Sequence, residues 1–358
     1  MGPPSARLID TSEPVTPRVP LHPDRDPAVF ATRQAVATLG RATDGVPARP
    51  VLVACSGGAD SLALAAAMTW QRRRDPDNVA AVIGVTVDHG LQPGSAARAD
   101  RVREQLAELG VDQTVSVRVQ VEAAGQGPEA AAREARYAVL GEVAQRLGAG
   151  TVLLGHTLDD QAETVLLGLT RGSGARSLRG MRATYTEDGV SYARPFLGLR
   201  RALTEQACRQ LALRWWEDPH NTDPRYTRSR VRHRVLPLLE TELGPGIAES
   251  LARTARLISA DEAVLDALAN GAFRDRYDES DGFLVAELAA MPEAVRLRVL
   301  RAASLAAGVP AGELALVHLD ALDAQVRNLT QLPKTVELPG FVRALRTGDR
   351  LRFERDTP

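Results

Sequence analysis

Lysine is almost missing from this chain. Of its 44 basic residues all but Lys334 are arginine, a bias that coding composition accounts for without any role for function. Cysteine is equally scarce. Cys55 and Cys208 stand far apart with no C-x-x-C, which disfavours both a disulfide framework and a tetrahedral zinc site. No excess of one charge exists either: the formal net charge is −1, so any polyanion must be held by a local patch rather than a global field. No apolar run reaches the roughly 18 residues a membrane span needs. The proline-rich start, MGPPSARLIDTSEPVTPRVP, does not read as a secretory signal. What remains is the composition of a globular cytoplasmic protein of two or three domains without a membrane partner, 358 residues long, 44% hydrophobic and 25% charged.

The most informative stretch is 51–68, VLVACSGGADSLALAAAM. Val51 to Cys55 reads as a buried strand, Ser56-Gly57-Gly58 breaks it, and Asp60-Ser61 leads into an Ala/Leu helix. A strand, a glycine turn and a helix start make an anion site, because the first helical turn has unpaired N–H groups at the positive end of the macrodipole. Gly57 and Gly58 remove the Cβ atoms that would hold a phosphate away, and Ser56 and Ser61 add hydroxyl donors. Asp60 supplies a carboxylate suited to Mg²⁺ or to a reacting group. A tight turn with an N-cap serine would explain a lone Gly-Gly as well, but the full string S-G-G-x-D-S is more specific. It is not the G-x-x-x-x-G-K-[ST] phosphate loop.

Further strands are expected at 81–88, 115–121 and 151–154, separated by helices near 95–109 and 129–147. Such alternation predicts an α/β fold, a parallel sheet with helices on both faces, whose ligands sit at the carboxyl ends of the strands. The loop at 56–61, His89 and His156 all fall at such ends. A helix over 157–170, counted from a turn at 156, places His156, Asp160 and Glu163 on one face, with Asp159 at its edge. That face can bind a metal, hold an ammonium or simply be solvated. Arg133 and Arg136 lie one turn apart upstream, either as ordinary helix pairing with Glu129 or as an anion clamp. Residues 183–196 alternate around Asp188-Gly189 as a hairpin does.

Between 171 and 234 there are 14 arginines against 6 acidic residues. Arg225, Arg228, Arg230, Arg232 and Arg234 crowd into ten positions beside Tyr226, a solvated face or a phosphate-binding run. From 236 to about 330 the pattern is helical, with Leu251, Leu257, Ile258, Val264, Leu265 and Leu268 in phase, and 331–358 carries two short strands. The domain reading is therefore a disordered tail over 1–26, a nucleotide domain over 27–235, a helical domain over 236–330 and a β segment over 331–358.

Six motifs in one order carry a family. S-G-G-A-D-S, V-D-H-G-L, E-x-x-x-R-E-x-R-Y, G-H-x-x-D-D-Q-x-E-T with R-G-S-G, R-P-F-L, and D-P-H-N-T-D with R-S-R-V-R-H resemble the tRNA(Ile)-lysidine synthetases of the PP-loop ATP pyrophosphatase superfamily. The resemblance spans roughly 48–240 and implies an adenine nucleotide alpha-hydrolase-like fold. It implies an ATP-dependent ligase acting on tRNA(Ile) with a CAU anticodon. ATP adenylates the C2 oxygen of the wobble cytidine, and free L-lysine then displaces AMP. By the same match Ser56, Gly57, Gly58, Ala59, Asp60 and Ser61 would hold ATP, with Asp60 on Mg²⁺. Asp160 and Glu163 would hold the lysine, His156 would help remove its proton, and Arg136 would act as a clamp. Arg225, Arg228, Arg230 and Arg232 would contact the tRNA, and helices after 236 would recognise it. A homodimer is left open. Two positions depart from the family pattern: His220 stands where serine is usual and Ser229 where asparagine is. A tRNA 2-thiolation enzyme shares the loop but wants paired cysteines. A synthetase of free nucleotides leaves the arginine run unexplained, and an adaptor would bind ATP without turnover.

Overall fold

The computed structural model describes residues 7–9, 25–37, 39, 48–88, 94–119, 128–172, 174–278, 280–327 and 335–356. His89, and most of the tail expected over 1–26, lie outside them. Two compact units divide the chain: Met1–Leu167 with Met181–Arg253, and Gly168–Gly180 with Thr254–Pro358.

In the first unit β1 (Arg7–Ile9) precedes α1 (Pro27–Val36), whose first turn is capped by the Asp26 carboxylate accepting from the Ala28 and Val29 amides. Then come β2 (Val51–Ala54), α2 (Ala59–Arg74), β3 (Val82–Asp88), α3 (Ser95–Leu109), β4 (Gln113–Arg118), α4 (Pro128–Arg146), β5 (Thr151–Leu154) and α5 (Leu158–Arg171). After α6 (Ala175–Leu178), in the second unit, the first unit resumes with β6 (Thr184–Glu187), β7 (Val190–Ala193), α7 (Arg201–Gln210), β8 (Trp215–Glu217), α8 (Thr227–Arg230), a π turn at Val231–Val235 and α9 (Leu236–Glu242).

The main sheet has six strands in the order β4-β3-β2-β5-β7-β6. Every pair is parallel except β6–β7, an antiparallel hairpin that turns at Asp188-Gly189 and adds an edge strand. Strand pleating splits the core. Val51 and Val53 pack with α2, α3 and Phe196 on one face, while Leu52 packs with Ile83, Leu140 and Val152 on the other. Each such buried aliphatic side chain stabilises the fold by about 1.5–3 kcal/mol, and strands β3, β2, β5 and β7 are largely buried, as inner strands of a parallel sheet require, while edge strand β4 is exposed or half-buried along its length.

The proline-rich start departs from the expectation of a disordered tail in two places. Arg7–Ile9 pairs antiparallel with Trp215–Glu217, and Asp26 caps α1. The partner strand β8 sits in a segment that reads as turn-rich, because three residues are too short for a periodicity to declare itself.

The second unit contains α10 (Ile247–Arg276) from Thr254 onward, β9 (Phe283–Leu284), α11 (Val285–Ala289), α12 (Glu293–Ala306), α13 (Leu316–Arg327), β10 (Thr335–Leu338), β11 (Val342–Thr347) and β12 (Arg350–Arg355). Its antiparallel sheet runs β10-β11-β12-β9, and Phe283, Leu288, Leu300, Leu322, Val342 and Leu351 share one core. The helices and the terminal strands therefore form one unit that starts at Thr254, where the sequence suggests a helical domain from 236 and a separate β segment. On α10 from Thr254 onward the buried positions are Ala255, Glu262 and Ala269, while Leu257, Val264 and Leu268 are exposed. Periodicity finds the helix and misassigns its inner face, because Glu262 is buried against Arg298.

Candidate active site

The loop after β2 is held open by its own short contacts. Gly57 has φ +83°, and a Cβ there would stand 2.6 Å from the Val102 side chain, so both conformation and space require glycine. The Ser61 hydroxyl donates to the Gly58 carbonyl at 2.9 Å and accepts from the Ser56 amide at 3.2 Å. From outside, the Trp216 amide donates to the Gly57 carbonyl at 2.9 Å, so β8 braces the loop. Ser61 is thus buried and occupied within the loop, whereas Ser56 is exposed. No side chain caps α2, whose first-turn amides remain available to an anion.

Asp60 opens toward α7. Thr204 donates its hydroxyl to one carboxylate oxygen, and Arg201 Nε lies 3.5 Å from the other. Burial pushes the Asp60 carboxyl up to about 6 against the opposing pull of Arg201 and Thr204. Among the described residues no group of three metal-ligating side chains occurs. Mg²⁺ bound with a nucleotide needs only one or two carboxylates, the phosphates completing its shell, and a single half-buried Asp60 fits that donor set.

The acidic face of α5 is not solvated. Asp160 Oδ2 accepts from the Thr157 amide at 2.8 Å, capping the helix, while Oδ1 accepts from Arg201 at 2.9 Å and Arg232 at 3.0 Å. Glu163, fully buried, accepts from Arg232 Nε at 2.6 Å and Arg228 Nε at 2.8 Å. Burial would raise the Asp160 carboxyl, but Arg201 and Arg228 more than offset it and hold it well below the usual range. Arg201 contacts both Asp60 and Asp160, so one guanidinium joins the nucleotide loop to the acidic helix. Neighbouring Asp159 accepts from the Arg201 amide at 2.7 Å and pairs with Arg200 at 3.1 Å, fixing the start of α7.

His156 has a different character from a proton acceptor. Its Nδ1 accepts from Arg194 Nε at 3.2 Å, which leaves the proton on Nε2. Burial pushes its pKa down to about 3, with Arg194, Arg136 and Arg133 adding to the effect against Asp160. The ring is neutral and a hydrogen-bond donor, so the role of proton remover suggested by the resemblance does not match its setting. Arg136 lies 5.7 Å from the Tyr137 ring centre and is destabilised as a cation by burial and by Arg133 and Arg228.

The arginine run divides in two. Arg228 and Arg232 turn inward onto Asp160 and Glu163, which corrects the expectation that both face RNA. Arg225 is exposed and paired with Asp223 at 2.7 Å, and Arg230 bonds the Pro224 and Arg225 carbonyls at 2.8 Å each. His220 lies 5.5 Å from the Tyr226 ring, and Ser229 is buried. Arg201, Thr204 and the Trp216 brace have no local signal in the sequence. Arg194 falls in the R-P-F-L string, but only the fold brings it to His156.

A glycine-serine loop between a central parallel strand and a helix, with an aspartate at its mouth, defines a PP-loop nucleotide-binding domain. The family model described as "PP-loop domain" matches residues 31–239. The chain is 51% identical over 308 residues to the tRNA(Ile)-lysidine synthase of Streptomyces coelicolor, covering 86% of each. It is 51% identical over 321 residues to that of Thermobifida fusca, covering 89% of this chain and 95% of the relative. The chain belongs to the tRNA(Ile)-lysidine synthase family of ATP-using ligases. Its fold is also that of the U34-tRNA thiolase NcsA from Methanococcus maripaludis, solved with its [4Fe-4S] cluster. The TM-score is 0.53 at 20% identity, over 64% of this chain and 80% of that one.

Proposed function

We propose that the chain joins free L-lysine to the wobble cytidine of tRNA(Ile) with a CAU anticodon, in two steps, in the cytoplasm. The cytidine C2 oxygen attacks the α-phosphorus of ATP and pyrophosphate leaves. An amine of lysine then attacks C2, AMP leaves with the C2 oxygen, and the amine gives up a proton. The observation that carries this reading is the meeting of the open loop and the acidic helix at one guanidinium, with Asp60 on one side of Arg201 and Asp160 on the other.

In this scheme the amides of 57–61, with the Ser56 hydroxyl, receive the pyrophosphate, and Ser61 keeps the loop in shape. Asp60 is the ligand for Mg²⁺, which would neutralise charge on the phosphates when bound. Arg136, half-buried and without a carboxylate partner among the described residues, stabilises the developing negative charge. His156 donates from Nε2 and orients the substrate. Asp160 and Glu163 supply the charge that attracts a lysine ammonium, but they are already neutralised by Arg201, Arg228 and Arg232. Lysine therefore binds by sharing or displacing an arginine. The two cysteines, both buried, speak against a persulfide route.

The test is incorporation. The protein is incubated with ATP, Mg²⁺, labelled lysine and either tRNA(Ile) or tRNA(Met) carrying CAU. Label in tRNA(Ile) alone, with one pyrophosphate released per lysine, is expected. Pyrophosphate release without label in RNA would refute the ligase reading.

A further inference from the structure

Beside the site lies a cavity of about 890 Å³ between α4 and the β6–β7 hairpin, which neither the loop, His156, Asp160 nor Glu163 lines. Its walls include Arg133, Arg182, Arg194, Tyr137, Tyr185 and Tyr192. Tyr185 and Tyr192 stack at 4.9 Å, and the Arg194 guanidinium lies over the Tyr185 ring at 4.7 Å. Arg194 is buried and fully engaged, with Nε on His156 and Nη2 toward the Tyr137 and Tyr185 hydroxyls at 3.4 and 3.5 Å. A single guanidinium thus separates the cavity from the histidine of the site.

The cavity carries both charges, three arginines against four acidic residues, beside three tyrosine rings. Arg133 and Arg182 are exposed, and neither has a carboxylate partner among the described residues. Arg133 lies instead over the Tyr137 ring at 5.1 Å. Around the same cavity Glu134, Glu142, Glu187 and Asp188 supply acceptors, Glu142 being paired with Arg146. They leave room for one phosphate at the arginines and disfavour a second, while their oxygens can accept from the amines of a base. The volume is far beyond what a free amino acid fills and lies in the range of sites for larger ligands. In a chain of net charge −1, cations without carboxylate partners beside aromatic rings are the feature a single-stranded nucleic acid recognises.

We infer that this cavity receives one unstacked nucleotide of the RNA, the neighbour of the reacting cytidine, with its phosphate on Arg133 and Arg182 and its base against Tyr137 and Tyr185. The neighbour rather than the target is assigned because Arg194 stands between the cavity and His156. The inference rests on the function proposed above, which makes the anticodon loop the substrate. By it, the hairpin reads the sequence around the wobble position.

The experiment uses the full chain and the anticodon stem-loop of tRNA(Ile) with CAU. 4-Thiouridine replaces each nucleotide flanking the cytidine in turn, and cross-linked peptides are mapped. Cross-links to 182–192 or 133–145 from one flanking position are expected. Arg182→Gln, an exposed change, should weaken stem-loop binding at least tenfold, and Tyr185→Ala should do the same, with ATP binding unaltered. Cross-links confined to 225–234, or unchanged binding in Arg182→Gln, would overturn the inference. So would AMP displacing the stem-loop from the wild type with equal effect in Arg182→Gln. If the wild type makes no lysidine, the function fails, but the cross-links still decide what the cavity binds.

Discussion

Two anion- and cation-handling regions of the first unit are built by opposite means. The loop at 56–61 is a backbone device, held by Gly57 in a left-handed conformation, two serine hydroxyls and a brace from Trp216. The acidic face of α5 is a side-chain device, three arginines on two carboxylates. A backbone site costs little to leave empty, since its amides point to water. A buried ion lattice stands only while every member is present, because each partner removed strands a charge. Changes to the loop's exposed side chains should therefore lose only chemistry, Gly57 excepted because its φ and the nearby Val102 admit no Cβ, while the lattice should lose the fold as well.

The largest contrast is expected from Glu163→Gln. It removes the fully buried carboxylate on which Arg228 and Arg232 converge and leaves both to share Asp160 with Arg201, at a cost of about 3–5 kcal/mol, visible as a lower urea midpoint. Asp60→Asn should leave that midpoint nearly unchanged yet slow pyrophosphate release by on the order of 10²–10³. If the two variants lose stability equally, the division between backbone and side-chain sites fails.

A second contrast lies inside the arginine run. Arg225, Arg230 and Arg234 changed together to glutamine should weaken tRNA binding and flatten its dependence on log salt by roughly 0.7–0.9 for each phosphate no longer neutralised. The melting curve should hold. Arg228→Gln with Arg232→Gln should do the reverse, lowering the melting point with little change in salt slope. Equal salt effects in both sets would return the inner arginines to the RNA.

A third contrast concerns pH. His156 has its pKa lowered from 6.5 to about 3, so between these values the unfolded chain binds a proton that the folded one does not. Stability should therefore rise with pH across that window and be level in this term above it. Activity should show no limb near 6.5 from His156, and His156→Asn, which keeps a donor, should retain more activity than His156→Ala. A limb near 6.5 that disappears in His156→Asn would restore the histidine as a base.

Much of this is legible in the residues because glycine conformation and strand-helix alternation are local. The loop, the parallel strands, α5 and the hairpin at Asp188-Gly189 all follow from neighbours in sequence. Orientation of charge does not. Arg228, Arg230 and Arg232 look alike in a string, and only the packing of α8 and the π turn against α5 shows two of them facing inward. Arg201 and Arg194 are likewise ordinary arginines until the fold sets them on Asp60 and His156. The buried Glu262 on α10 misleads for the same reason: its partner Arg298 is 36 residues away.

The carboxylates of α5 and the arginines that hold them are 41 to 72 residues apart in sequence. Closing so long a loop costs entropy before any ion pair repays it, so these pairings should form after the parallel sheet has condensed. Interactions that arise so late are absent from the folding transition state, and weakening them accelerates unfolding while leaving the folding rate almost untouched. The lifetime of the native state, rather than the speed at which a nascent chain reaches it, is then set at the ion lattice of α5.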